Sequence, residues 1–179
     1  LRNPQLRGLL TMMMEDEELG WRFRAAPAGK TWHHPYVGGL MEHVVKLSRI
    51  VMVLCELYPE LDRDLLLAAC FLHDLGKIRE MEYEKAIDYS SEGRLVGHVV
   101  QGVEILGEFV ARCPELDRET VFRLKHIIVS HQGAYEFGSP KLPKTLEAIV
   151  FHHIDNLDAQ IDGYARVLKE GRETMGGDS

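Results

Sequence analysis

Residues 65–77, LLLAACFLHDLGK, constrain this chain more than any other stretch. Eight residues, nearly all apolar, read as a buried helix and run straight into His73 and Asp74, then Gly76 and Lys77. Polar groups withdrawn from water without partners cost roughly 2–7 kcal/mol each. A core helix that ends on an imidazole and a carboxylate therefore needs something that compensates both. A divalent cation does so, because histidine nitrogen and carboxylate oxygen are both ligands for such metals. Other elements of the chain must then supply the remaining ligands.

At 179 residues the chain has the length of one domain with a sizeable core. Its 45% hydrophobic and 27% charged content is that of an ordinary globular protein, so order is expected. The net charge of −7 excludes a broad basic surface that holds nucleic acid by phosphate neutralisation alone. A polyanion handled here has to meet metals, a few local cations or a separate binding domain. Cys55, Cys70 and Cys113 form no CxxC and lie in apolar helical contexts. They read as reduced, buried thiols of a cytoplasmic protein. No apolar run approaches the ~20 residues of a membrane span, and no signal peptide is expected. The first residue is Leu1 rather than Met, which fits a fragment of a longer chain.

Periodicity predicts six helices and little strand, hence an all-α domain. The first covers residues 4–19, with Leu6, Leu9, Leu10 and Met13 on one stripe. Residues 20–39 are rich in Gly and Pro and read as irregular structure or a short helix. The second helix covers 39–58; Leu40, His43 and Leu47 share its buried side. Asp62 caps the third, which carries the opening motif. Residues 79–93 read as a solvated excursion, with a short extended piece. A fourth helix is expected over 91–112, with Leu95, Val99, Val103, Leu106 and Val110 inside and His98 among them. Asp117 caps a fifth that ends near His131, the GAYEFGSPKLP segment is a loop, and a sixth spans 144–170. Residues 171–179 read as a flexible tail.

Every helix after the first carries an inward-facing ligand type: His43, His73 with Asp74, His98, His131 and Asp155. Metal sites in helical bundles are assembled in this way, from side chains on facing helices. Six such ligands exceed the needs of one metal with an open position and suit two, bridged by a carboxylate. His126 and His131 are five residues apart and point about 140° away from each other on a helix, so one of them stays outside. His131 is preferred because Gly133 and a loop follow it. His152, one turn before Asp155, is placed to orient a ligand by a hydrogen bond.

The ordered segments HHPYVGGLMEH, HDLGKI, EGRLVGH, SHQGAYEFGSP and DNLDAQ resemble the HD superfamily of metal-dependent phosphohydrolases. They are most similar to the HD domain of YhaM-type 3′-5′ exoribonucleases. The resemblance runs from NPQLR at the start to DNLDAQI near the end and implies an HD-domain helical bundle over residues 1–170. It also implies that His43, His73, Asp74 and Asp155 hold a first metal, while His98 and His131 hold a second with Asp74 bridging. Relatives commonly read SHHG where this chain has Ser130-His131-Gln132-Gly133. Gln132 is a poor ligand, which weakens the expectation of a second ion. An OB-fold nucleic-acid-binding domain ahead of the HD domain is a usual part of that family, and these 179 residues do not include one.

The function implied is hydrolysis of a phosphodiester by a metal-bound hydroxide, with single-stranded RNA or a nucleotide as substrate and Asp74 and Lys77 as catalytic residues. Lys77 is also the natural cation for a phosphate oxygen, or else neutralises a helix C-terminus. Arg94, four residues before His98, is a second phosphate candidate on the same predicted face. His34 and Ser139 are further substrate-contact candidates, with Tyr135 and Phe137 as stacking rings beside Ser139. One or two divalent ions are expected, Mn2+ first, with Fe, Co, Ni or Zn compatible with the ligand set. A small-nucleotide phosphohydrolase and a non-catalytic HD ligand-binding module are the alternatives. A homo-oligomer is compatible with the sequence.

Overall fold

Side chains that satisfy the first free N–H groups mark most helix starts. The structure, a computed structural model, describes residues 1–83 and 86–176, with side chains to 173. Asn3 caps α1 (Pro4–Glu15), and Asp16 caps α2 (Glu17–Ala25) by accepting from the Leu19 N–H. α3 covers Gly39–Leu57. Asp62 caps α4 (Arg63–Leu72), and α5 (Lys77–Glu80) follows after one turn. A two-stranded antiparallel hairpin, β1 (Met81–Glu82) and β2 (Asp88–Tyr89), leads to α6 (Ser91–Val96), capped by Ser90. Then come α7 (His98–Val110), α8 (Arg118–Ser130), capped by Asp117, and the long α9 (Leu146–Gly176).

α4 is the centre of the bundle. Leu65, Leu66, Ala68, Ala69, Cys70 and Leu72 are all essentially buried, and α1, α3, α8 and α9 pack around them. Each fully buried leucine contributes about 1.5–3 kcal/mol. The apolar surroundings of α4 thus carry its polar C-terminal end, His73 and Asp74, into the interior as well.

Three sequence expectations are corrected. The first predicted helix is two, because the Asp16 side chain restarts the hydrogen-bonding pattern. The helix expected over 91–112 breaks at Gly97, whose φ of +77° leaves the helical region, so α6 and α7 are separate. Leu95, expected inside, is 88% exposed as a result. The last helix continues through Gly176, so the expected tail is helical up to that point. Residues 177–179, and Glu84 and Lys85 in the excursion, lie outside the described residues.

One close approach positions the end of α4 against α7. A Cβ on Gly76 would lie 2.0 Å from the His98 carbonyl oxygen and 2.6 Å from the Gly102 nitrogen. Backbone cannot retreat as a side chain can. Gly76→Ala is therefore expected to destabilise by about 3 kcal/mol or more, at or beyond the top of the overpacking range. Gly107→Ala, on the same α7 with nothing within 4 Å of the added carbon, should stabilise by about 0.5–1 kcal/mol. Urea denaturation of the two variants checks both signs.

Candidate metal centre

The ligand-type residues arrive from five directions. His43 lies on α3 between Leu40 and Leu47, and all three are fully buried. His73 is the C-cap of α4, its N–H on the Ala69 carbonyl, and Asp74 begins the turn into α5. His98 opens α7, His131 is the C-cap of α8, and Asp155 comes from α9. Two of these expose an edge to solvent: the side chains of His98 and Asp155 are each 16% accessible.

The outer ring nitrogen of each histidine is held. His43 Nδ1 lies 2.7 Å from Asp158 Oδ2, and His98 Nδ1 lies 3.0 Å from Glu80 Oε1. His73 Nδ1 is 3.1 Å from the Cys70 carbonyl and His131 Nδ1 is 2.7 Å from the Ile128 carbonyl. Carbonyl and carboxylate oxygens accept, so Nδ1 carries the proton in all four rings. In the neutral imidazole the lone pair is then on Nε2. Those four Nε2 atoms point at one region. His43 Nε2 is 3.3 Å from His73 Nε2 and 3.1 Å from Asp155 Oδ1, which in turn is 3.6 Å from His73 Nε2. Asp74 Oδ2 is 3.3 Å from His73 Nε2, while its Oδ1 is 3.4 Å from His98 Nε2 and 3.6 Å from His131 Nε2.

Lone pairs and carboxylate oxygens packed this closely repel unless positive charge is shared among them. Asp74 Oδ1 is buried and has no hydrogen-bond partner among the described residues. From protein charges alone, burial opposes a charged His73, but Asp74 and Asp155 outweigh it and lift its pKa to about 10. Burial likewise opposes ionisation of Asp74, yet Lys77 and then His73 hold its carboxyl well below the usual range. His131, by contrast, is pushed down to about 4 by its burial. Of the four ligand groups among the described residues that fit a divalent cation, two consist wholly of the six predicted residues: His43, His73 and Asp155, and Asp74, His98 and His131. Asp74 lies between them, one oxygen toward each.

Gln132 modifies the second group. Its amide nitrogen lies 3.1 Å from His131 Nε2 and 3.4 Å from His98 Nε2, so its two N–H groups donate to the lone pairs an ion would need. An ion entering there has to displace that amide.

The structure does not gather every candidate from the sequence. Lys77 is buried at the centre, its Nζ 2.6 Å from Asp74 Oδ2 and donating also to the Ala28 carbonyl. His34 is fully buried one layer out, with Nε2 3.1 Å from Asp158 Oδ2 and Nδ1 2.8 Å from the Tyr36 hydroxyl. Its φ of +45° is a strained conformation for a non-glycine residue, held by its N–H on Asp162 at 2.8 Å. The shared-face argument for Arg94 fails with the break at Gly97; Arg94 sits on an exposed rim, 3.1 Å from Asp88. Ser139 is buried, and its hydroxyl lies 2.7 Å from the Lys141 carbonyl and 3.1 Å from that of Val129, not among the ligands. Tyr135 and Phe137 stand 63% and 71% exposed. His152 donates from Nδ1 to the His131 carbonyl at 2.8 Å, and His126 accepts from the Lys144 N–H at 2.9 Å.

Sequence reasoning missed Asp158, Glu80 and His33. Asp158 had a signal, since it follows Asp155 by three residues on the same helical face. Glu80 had none, because its reach to His98 depends on how the hairpin folds back. His33 lies in an aperiodic segment, yet its ring centroid is 5.3 Å from that of His43. Burial, followed by the Lys77 charge, pushes its pKa down to about 3.

Residues 40–160 match the HD domain family, and this span contains all six converging ligand-type residues. The chain belongs to the HD domain family. It is 39% identical over 169 residues to the 3′-5′ exoribonuclease YhaM of Bacillus subtilis, covering 94% of this chain and 53% of that protein. It is 40% identical over 172 residues to the YhaM of Shouchella clausii, covering 94% and 52%. The Bacillus licheniformis YhaM gives 39% over 172 residues, covering 94% and 53%. The chain thus spans about half the length of the curated relatives it matches. No solved structure matches. Among the described residues no helix is long and apolar enough to cross a membrane.

Groups that orient a metal-binding histidine typically contribute about 10–100-fold to metal affinity. Asp158→Asn and Glu80→Gln should each weaken divalent-metal binding by about that factor, read by competition with a fluorescent chelator. Gln132→Ala, which removes two hydrogen bonds from the second group, should instead tighten the weaker of two calorimetric binding steps by about tenfold.

Proposed function

We propose that this HD domain is the catalytic part of a metal-dependent 3′-5′ exoribonuclease of the YhaM kind, acting on single-stranded RNA in the cytoplasm. What carries the reading is the two ligand groups that meet at Asp74, whose Oδ1 is buried and has no hydrogen-bond partner among the described residues. Similarity to YhaM over 94% of the chain supports RNA as the substrate class. Three free cysteines, Cys55, Cys70 and Cys113, fit a reducing compartment.

His43, His73 and Asp155 would hold one divalent ion and His98 and His131 the second, with Asp74 between them. Mixed imidazole and carboxylate donors accept Mn2+, Fe, Co, Ni or Zn, and Mn2+ is the ion we propose. Such ions supply Lewis acidity toward the phosphoryl oxygens and lower the pKa of a water to near neutrality.

The chain's own residues supply the rest. Asp74 stays ionised because Lys77 and the imidazoles surround it, and it keeps one oxygen toward each ligand group. Lys77 has three donors, of which Asp74 and the Ala28 carbonyl take two. The third is available to a phosphoryl oxygen. Asp158 and Glu80 fix the rings of His43 and His98, so their Nε2 atoms need no reorganisation when substrate arrives.

Single-stranded RNA labelled at its 5′ end tests the reading, with this chain and with the longer protein that contains it. Stepwise release of mononucleotides from the 3′ end is expected in Mn2+ and should be lost on chelation. Asp74→Ala should reduce the rate by about a thousandfold or more, and Lys77→Ala by about 10²–10³. Absence of RNA cleavage by both proteins with every divalent ion overturns the exonuclease reading. Phosphate release from nucleoside monophosphates instead would identify the site as that of a small-nucleotide phosphohydrolase.

A further inference from the structure

A groove of about 260 Å³ opens beside the metal centre, between residues 28–33 and the hairpin. Lys77 and His98 form its inner end, and Lys30, Trp32, His33 and Tyr89 line its walls. Its volume falls just below that of ligand-sized clefts, about 300–1,000 Å³, so it takes no more than one nucleotide. We infer that this groove seats the nucleotide flanking the scissile phosphate, with its base stacked on Trp32 and Tyr89 and the neighbouring backbone phosphate on Lys30 and Arg94. The inference rests on the phosphodiesterase reading above and assigns the substrate path for that site.

The wall that carries Trp32 is fixed rather than loose. Its backbone is tied to α9 twice, by the His34 N–H on Asp162 at 2.8 Å and by Arg166 donating to the Thr31 carbonyl at 3.0 Å. It is tied to α5 by Lys77 on the Ala28 carbonyl. The Trp32 indole packs against α9 where Gly163 leaves room: a Cβ there would come within 2.3 Å of the ring. Tyr164 meets its edge, with centroids 5.7 Å apart. Trp32 nonetheless keeps 44% of its surface accessible, and Tyr89 keeps 40%. Aromatic side chains left this accessible at the mouth of a phosphoester site are suited to base stacking, which is indifferent to sequence.

The charge at the mouth fits the same ligand. Lys30 Nζ and Arg94 both bond Asp88 Oδ1, at 2.7 and 3.1 Å. Two cations thus share one carboxylate at the mouth of the groove. Lys30 also stands 5.8 Å from the centre of the Tyr89 ring. Arg94 therefore reaches substrate from the rim, not along the helical face that carries His98.

The chain has two tryptophans, Trp21 and Trp32, so Trp21→Phe makes its fluorescence a reporter of the groove. Oligouridylate titrated into that variant in chelator, where no turnover occurs, should quench Trp32. Tyr89→Ala in the same background should weaken binding by about tenfold. Lys30→Ala should weaken it and lower the slope of log affinity against log salt by about 1. Gly163→Ala, whose added carbon would fall within 2.3 Å of the indole, displaces the ring without removing it and should weaken binding. Each of these variants should raise the KM for RNA with bound metal unchanged. Absence of quenching, unchanged affinity in Tyr89→Ala, or a loss confined to Phe137→Ala in the exposed loop after His131 would each overturn the groove. Quenching without any RNA cleavage would leave the groove standing and sink the nuclease reading. Cleavage with unaltered KM in Tyr89→Ala and Gly163→Ala would do the reverse.

Discussion

A carboxylate held in a nearly dry interior governs the rest of this molecule. Asp74 is 2% exposed, and a buried, unpaired anion would be intolerable at the several-kcal/mol level. Lys77 offsets one oxygen directly at 2.6 Å. The other oxygen faces His98 and His131 and finds no hydrogen-bond donor among the described residues. Around Asp74 and Asp155 the fold arranges four imidazoles with their Nε2 atoms inward.

The apolar helix α4 creates this situation and the neighbouring helices resolve it. Burial of α4 drags His73 and Asp74 inward, because they follow it without a break. α3, α7, α8 and α9 each answer with a ligand-type residue at the height of the α4 C-terminus. A layer outside, Asp158 and Glu80 and the Cys70 and Ile128 carbonyls hold the rings. Asp158 does so for two histidines at once, His34 and His43. The fixed orientation of the rings, more than their number, distinguishes a metal centre from a cluster of core histidines.

Much of this was legible in the chain. The helical class, the caps at Asp62 and Asp117 and the inward face carrying His43 follow from local periodicity and side-chain chemistry, which the tertiary structure respects. What was not legible depends on backbone geometry that periodicity does not encode. Gly97 at φ +77° separates α6 from α7 within a pattern that reads as one helix, and this moves Arg94 to a rim and Leu95 into solvent. Ser139 was singled out for its place in a Gly- and Pro-rich loop, but two carbonyls occupy its surroundings. Glu80 and the wall carrying Trp32 became visible only once the hairpin and the segment before α3 were placed beside His98. Gln132 lay in view throughout, and its geometry turns a missing ligand into a competing donor.

Anomalous diffraction at the manganese edge from crystals grown with Mn2+ tests the role of Asp74 most directly. Two peaks are expected on either side of its carboxylate, one among His43, His73 and Asp155 and a weaker one beside His98 and His131. Density that leaves Asp74 unligated, or no anomalous peak within reach of the four Nε2 atoms, is incompatible with a carboxylate-bridged metal centre.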